Sequence, residues 1–407
     1  MSSPVLQPVA PAERIVTLDV LRGFALFGIL LMNMEAFSGP LDLSFTGIDP
    51  HWQGLDRWAD GLVYIFVQGK FFTLFSLLFG AGFALMAQRA EVARRDFTAI
   101  YLRRSGALLL IGLTHALLIW SGDILFIYAL LSFPLLAFRE APRSWLPALG
   151  GLCYLAAIGV LLWLGLMMAL LAQSQNPPAE LGSSAASALQ KIEQQRQMYG
   201  HGGYWQAVAQ RGRDWLQSMQ GLLLVGPEVF GMFLIGAWFT RSGAIAHPGQ
   251  FPRLFVMLRW LALPLGLALM LLSAWQVPWL QPGRFDLRLA VASALAAAAG
   301  LLMCLGYLGW VVRWRAGLAW LAPAGRMALS NYLGQSLLCT AIFYGYGLGA
   351  FEQMGRAWQL LFAVVLFALQ LGLSHCWLRY FRFGPVEWLW RAATYLHWPP
   401  MRRQAQR

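Results

Sequence analysis

The stretch TLDVLRGFALFGILLMNMEAF, residues 17–37, reads as a helix that crosses a bilayer. The hydrocarbon core takes roughly 17 to 25 predominantly apolar helical residues, and this run fills that length. It also carries polar residues that a lipid-facing helix would not keep. Asp19 and Arg22 are three apart, so they share a helix face and read as a pair at one end of the span. Asn33 lies fourteen residues beyond Asp19, roughly 21 Å along the axis at about 1.5 Å per residue. Glu35 follows it.

Working outward, comparable runs recur at 62–87, 105–120, 124–138, 145–171, 219–240, 254–275, 289–312, 327–344 and 358–378. The composition agrees: 58% of the 407 residues are hydrophobic and 12% charged, which excludes an ordinary soluble domain. The expected fold is an all-α, polytopic membrane helical bundle of about ten transmembrane helices. The third and fourth runs are short and share the turn Ser121-Gly122-Asp123, which predicts a helical hairpin.

Cationic residues set the expected orientation, because Lys and Arg accumulate in short cytoplasmic loops. Arg89, Arg94, Arg95, Arg103 and Arg104 crowd one loop, and Arg139, Arg143, Arg241, Arg253, Arg313, Arg315 and Arg326 fall on the same side. The C-terminal tail adds Arg379, Arg382, Arg391, Arg402, Arg403 and Arg407, while the short loops opposite hold only Arg57, Arg284, Arg288 and Arg356. Both termini are therefore expected in the cytoplasm, with the chain a multi-pass membrane protein. The net charge of +12 is then mostly topology. Its scatter over several loops argues against nucleic acid and leaves anionic lipid or a phosphorylated cytosolic molecule as partners. The four cysteines lie inside the runs without ligand spacing and read as packing residues. The first run is long and carries Asp19 and Arg22, unlike a cleaved signal peptide.

The expected organisation is a cytoplasmic segment 1–17, a membrane half 18–171, an extracytoplasmic loop 172–218 with an amphipathic helix, a second membrane half 219–380 and an interfacial tail 381–407. The loop opens with Gln-Asn-Pro-Pro and ends in a mixture of Tyr204, Trp205, Arg211, Arg213, Asp214 and Trp215 that suits an interfacial helix. It serves as a connector or as a lid over an outer-facing site.

Titratable groups within the runs mark candidate sites, since charge inside a bilayer is expensive and faces the protein interior or a water-filled cavity. In GLTHALLIWSGDIL, residues 112–125, His115 and Asp123 sit among Leu, Ile, Ala and Trp. By alternation both fall toward the outer side, at the expected depth of Asn33 and Lys70. A buried lysine must pair or lose its charge, at a cost near mid-membrane of about 2.5 to 3.5 kcal/mol, so Lys70 should have an anionic partner. Glu228 follows Pro227, which bends the sixth run. In the ninth, Arg326, Ser330, Asn331, Gln335 and Ser336 form a stripe that suits either helix-to-helix hydrogen bonding or a ligand's phosphorylated tail. Glu387 and Arg391, four apart, are placed to pair.

The stretches at 18–37, 69–83 (GKFFTLFSLLFGAGF), 114–125 (THALLIWSGDIL), 231–243 (GMFLIGAWFTRSG), 325–349 (GRMALSNYLGQSLLCTAIFYGYGLG) and 377–391 (WLRYFRFGPVEWLWR) resemble the YeiB-like family, bacterial inner-membrane proteins carrying domain of unknown function 418. The resemblance implies a distant relationship to transmembrane acyltransferases, including the heparan-glucosaminide acetyltransferase type. These open similarly and have a catalytic His soon after the first span, which His51-Trp52-Gln53-Gly54-Leu55 with Asp60 is similar to. The YeiB-like motif points instead to His115.

The leading expectation is thus a membrane acyltransferase with acyl-CoA as co-substrate and no tightly bound cofactor. Its phosphates would dock on Arg22, Arg104 and Arg326. His115 or His51 would act as base, Asp123 would orient the imidazole, and Lys70 or Asn331 would stabilise the oxyanion; Asn33, Glu228, Asn331 and Gln335 would contact substrate. The acceptor would be an envelope glycan, lipid or small molecule. The competing expectation is a transporter or lipid flippase in which Lys70, His115 and Glu228 form a relay. The oligomeric state stays open, a dimer included.

Overall fold

The computed structural model describes residues 15–44, 47–173, 179–279 and 281–403, with the side chains of 179–184 left aside. The expected segment 1–17, except its last three residues, the Gln-Asn-Pro-Pro opening of the long loop, and residues 404–407 lie outside them. The described residues are helical throughout, and their only β pairings are two isolated bridges, Ile48 with Trp279 and Phe381 with Arg402. The helices run α1 (Val16–Ser38), α2 (Gly54–Phe66), α3 (Lys70–Val92), α4 (Phe97–Leu118), α5 (Leu125–Leu135), α6 (Trp145–Ala172), α7 (Ala179–Gly200), α8 (Tyr204–Ser218), α9 (Leu222–Arg241), α10 (Pro252–Met257), α11 (Leu263–Gln276), α12 (Leu287–Arg313), α13 (Ala322–Arg326), α14 (Ala328–Phe343), α15 (Arg356–Tyr380) and α16 (Pro385–Tyr395).

Seven helical segments among the described residues are long and apolar enough to cross a membrane: Val16–Ser38, Gly54–Val92, Trp145–Ala172, Tyr204–Arg241, Pro252–Gln276, Leu287–Arg313 and Arg356–Tyr380. The other three expected spans form α4, α5 and α14. These are shorter or carry charge, such as Arg103 and Arg104 in α4. α4 and α14 keep exposed apolar positions, among them Leu110 and Leu337, but bury their polar groups His115 and Asn331 within the protein, where such groups are tolerated.

α1 is the central element. Leu18, Leu21, Ala25, Leu26, Ile29 and Leu30 are buried along one half of its circumference and Val20 and Met34 on the other, as expected of an apolar helix packed within protein. α6 is the opposite case, leaving Leu152, Leu155, Trp163 and Leu166 exposed to what would be lipid.

Close crossings depend on small residues. A Cβ on Gly80 would collide with the Phe233 carbonyl, and one on Gly236 with the Leu77 carbonyl, so α3 and α9 touch through their backbones. A Cβ on Gly325 would strike the Asp19 carbonyl, which seats the short α13 against α1. The chain then breaks at Met327 (φ −112°, ψ 29°) before α14 begins. Glu387 of α16 satisfies the exposed first turn of α14. Its carboxylate accepts from the amides of Leu329 at 2.7 Å and Ser330 at 3.1 Å and from the Ser330 hydroxyl. The carboxylate expected to pair with Arg391 is thus engaged by the unsatisfied N–H groups of a helix start.

The 172–218 segment forms two helices, α7 and α8, where one was expected. They lie across the end of the α4–α5 hairpin. Arg211 is wholly buried and donates to the Leu118 carbonyl at 2.9 Å and to the Tyr346 hydroxyl at 2.9 Å. Tyr204 donates to the same carbonyl at 3.0 Å. Carbonyls at a helix C-terminus have no partner within the helix, and α8 supplies one for α4.

Candidate functional site

The α4–α5 turn brings His115 and Asp123 together. His115 Nδ1 lies 2.8 Å from Asp123 Oδ1, and both side chains are 1% exposed. The other oxygen, Oδ2, accepts from the Phe126 amide at 2.7 Å and so caps the start of α5. A carboxylate can only accept. The proton between the pair therefore sits on Nδ1, and a neutral imidazole presents its lone pair at Nε2. Nε2 is buried with no hydrogen-bond partner among the described residues. The Trp120 indole, in contact with the Phe37 ring at 4.3 Å between centroids, donates to the Ala36 carbonyl at 3.4 Å and ties this turn to α1.

A cavity of about 770 Å³ approaches the pair from the opposite end of the bundle. On α3 its lining runs from Arg89 to Phe75, fourteen residues or roughly 21 Å. Seven arginines line it, Arg22, Arg89, Arg95, Arg104, Arg326, Arg382 and Arg391, against two carboxylates, Asp19 and Glu387. Its inner part is apolar, walled by Ile29, Phe75, Leu78, Phe79, Leu108 and Leu125. Strong positive charge at one end and hydrocarbon at the other fit an amphiphile with an anionic, phosphate-like head. The three arginines singled out in the sequence thus share one cavity. Arg22 holds Asp19 at 3.0 Å, Arg104 stacks 3.7 Å from the Trp390 ring centroid, and Arg326 reaches the Arg382 carbonyl at 3.5 Å.

Tyr332 of α14, which the sequence reading passed over, joins the two features. It lines the cavity, its ring centroid is 5.2 Å from that of His115, and its buried hydroxyl has no hydrogen-bond partner of ordinary geometry among the described residues. The available signal was its place inside SNYLGQS: an aromatic ring with a polar tip within a polar stripe.

This chain has relatives along almost its whole length. It is 36% identical to "Uncharacterized protein YxaH" of Bacillus subtilis (strain 168), covering 98% of this chain and 99% of that one. It is 35% identical to "Uncharacterized protein YeiB" of Escherichia coli (strain K12), covering 94% and 96%, and residues 239–397 match the family "Protein of unknown function (DUF418)". The chain belongs to the YeiB-like DUF418 family. The matched DUF418 region contains Arg326, Tyr332, Arg382, Glu387 and Arg391, one wall of the cavity, whereas His115 and Asp123 lie before it.

Other candidate residues of this YeiB-like chain lie elsewhere. Lys70 is buried and donates to the Tyr64 carbonyl at 3.0 Å and meets Met270 Sδ at 3.2 Å. Among the described residues no carboxylate is within ion-pair distance of it, so the expected anionic partner gives way to a carbonyl and a sulfur. His51 is 89% exposed, beside Asp49 at 2.8 Å. Asn33 is buried on α1, and Glu228 is half-buried on α9 after Pro227. Asn331 donates to the Ala324 carbonyl at 3.2 Å and Ser374 at 3.0 Å. Gln335 donates to Gln370 at 2.9 Å, and Gln370 returns a bond to the Asn331 carbonyl at 3.0 Å. Asn331 and Gln335 are thus hydrogen-bonded to α15, a use that averages about 0.6 kcal/mol per contact in membrane proteins, whereas Ser330 of the same stripe bonds Glu387 of α16. Arg356, expected in an outer loop, is instead 1% exposed, bonded to Asp60 at 2.9 Å and 3.6 Å from Glu35. Removing one partner from such a buried ionic cluster would strand the other charge.

Proposed function

We propose that this protein is an integral-membrane acyltransferase moving an acyl group from a cytoplasmic acyl-CoA-type donor to an envelope glycan, lipid or small-molecule acceptor. The observation that carries the reading is the arginine-lined cavity whose inner wall, Tyr332, abuts an imidazole held by a carboxylate. The donor's phosphates sit among the arginines, Arg22, Arg104 and Arg326 included. Its reactive end points inward, and His115 takes the acceptor's proton at Nε2 while Asp123 fixes the tautomer.

The proposed topology has ten spans, the seven long helices together with α4, α5 and α14, in a bacterial inner membrane. Both termini and the arginine-rich end face the cytoplasm, which puts α7 and α8 outside. The distribution of arginines supports this, and reporter fusions at the C-terminus and within 185–200 check it. A transporter relay through Lys70, His115 and Glu228 draws less support, because Lys70 contacts Tyr64 and Met270 while His115 contacts Asp123 and Tyr332.

The test is free-thiol release from acyl-CoA by purified protein in detergent, with and without envelope extract. Release that needs both protein and extract is the expected result; none above background with either would overturn the reading.

A further inference from the structure

We propose that the Tyr332 hydroxyl is the hydrogen-bond donor that receives the acyl carbonyl of the donor, which makes Tyr332 a catalytic residue. The inference rests on the acyltransferase reading and adds the group that stabilises the oxyanion, a role expected of Lys70 or Asn331.

Burying a hydroxyl without a partner costs stability, and the cavity shows the contrast. Tyr128 lines the same cavity, yet its hydroxyl donates to the Phe72 carbonyl at 2.8 Å and accepts from Ser76 at 2.9 Å. The Tyr332 hydroxyl makes no such bond; the backbone amide of Ile124 is near it, and an N–H can only donate, so the hydroxyl's own proton has no acceptor among the described residues. Tyr101 shares that property, but it lies one turn from Arg104 and so belongs to the charged part of the cavity; Tyr332 alone of the two rings adjoins His115.

Its backbone is also held firmly. α14 restarts at Ala328, Glu387 binds the Leu329 and Ser330 amides, and the neighbouring Asn331 side chain is bonded to Ala324 and Ser374. A donor fixed before reaction is what stabilises developing oxyanion charge best.

The chemistry balances with these residues and a thioester. The donor's carbonyl oxygen accepts from Tyr332. His115 Nε2 takes the proton of the acceptor's hydroxyl or amine as its oxygen or nitrogen bonds to the carbonyl carbon. The tetrahedral oxyanion then collapses, the carbon–sulfur bond breaks, and the imidazolium returns the proton to sulfur. The products are the acylated acceptor and free CoA thiol.

The experiment compares Tyr332→Phe and Tyr128→Phe with the unmodified protein in one detergent. It reads thermal unfolding, binding of CoA without an acyl group, and thiol release. Tyr332→Phe should unfold at the same temperature or higher and bind CoA unchanged, while kcat falls on the order of a hundredfold. Tyr128→Phe, which breaks the bonds to Phe72 and Ser76, serves as the stability control and should instead unfold at a lower temperature. A Tyr332→Phe protein that turns over normally, or that loses activity only in step with folded fraction, overturns the assignment and leaves the acyltransferase reading standing. An unmodified protein that releases no thiol overturns both.

Discussion

His115 and Asp123 sit 2.8 Å apart at the α4–α5 turn with 1% of each side chain exposed, and the same carboxylate caps α5 through Phe126. One side chain thus sets both the tautomer of the imidazole and the geometry of the hairpin carrying it. Asp123→Asn separates the two roles, because an amide oxygen still caps a helix while the amide also permits the opposite tautomer. Thiol release should fall about a hundredfold or more, with only a small change in unfolding temperature. His115→Gln should match it in activity, whereas His51→Gln, at an exposed position, should turn over normally. Full activity in His115→Gln would remove the dyad from the mechanism.

The arginine-lined end invites a binding measurement. Arg104→Ala and Arg326→Ala should each weaken CoA binding roughly tenfold, about 1.4 kcal/mol. Arg104→Lys should not recover it, because a lysine lacks the planar group that stacks on Trp390. Isothermal titration with CoA checks this, and unchanged affinity in both alanine variants would exclude these arginines from the donor site.

Gly80 and Gly82 lie two apart on α3 and should answer very differently to a larger side chain. Gly80 has the α9 backbone against it, whereas a Cβ on Gly82 meets only Arg22 Nη2, at 3.7 Å, in the cavity. Gly82→Leu should fold and obstruct donor binding. Gly80→Leu should fail to fold or unfold at a much lower temperature. A Gly82→Leu protein with normal CoA affinity would show that the donor does not pass α3.

Arg211 bears on the outer layer. Arg211→Ala removes its bonds to Leu118 and Tyr346, and hydrogen bonds from charged groups contribute roughly 1.5 to 3 kcal/mol, so unfolding should begin at a distinctly lower temperature. Arg211→Lys should restore little, since one ammonium cannot span both acceptors. Differential scanning fluorimetry of the two variants decides it.

Glu387 provides a test by pH. Burial raises its carboxyl above the usual value of 4.5, an effect partly opposed by the Ser330 and Leu329 bonds. With the folded value raised, the folded state holds the proton more tightly than the unfolded chain. The associated stability is full below pH 4.5 and is lost as pH rises through the raised folded value. Glu387→Gln should flatten that part of the stability profile, measured by thermal unfolding across a pH series; an unchanged slope would assign it to another group.

Sequence alone determined the class of fold and which polar side chains lie within its apolar runs. Hydrocarbon thickness dictates how long an apolar run must be, so the long spans are visible without coordinates. The His115–Asp123 hairpin is local, eight residues apart across a turn, and was legible for the same reason. Tertiary structure decided everything that depends on helix rotation and on neighbours distant in the chain. It put Arg22, Arg104 and Arg326 around one cavity, although they come from three different helices. It bonded Asn331 and Gln335 of the α14 stripe to α15, and it buried Arg356 between Asp60 and Glu35. Tyr332 stayed hidden because an aromatic residue in an apolar span looks like packing until the ring beside it is known. A helical period of 3.6 residues states which residues share a face; which neighbour that face meets is set by packing across the bundle, where Gly80 and Gly325 permit contacts that the chain order does not announce.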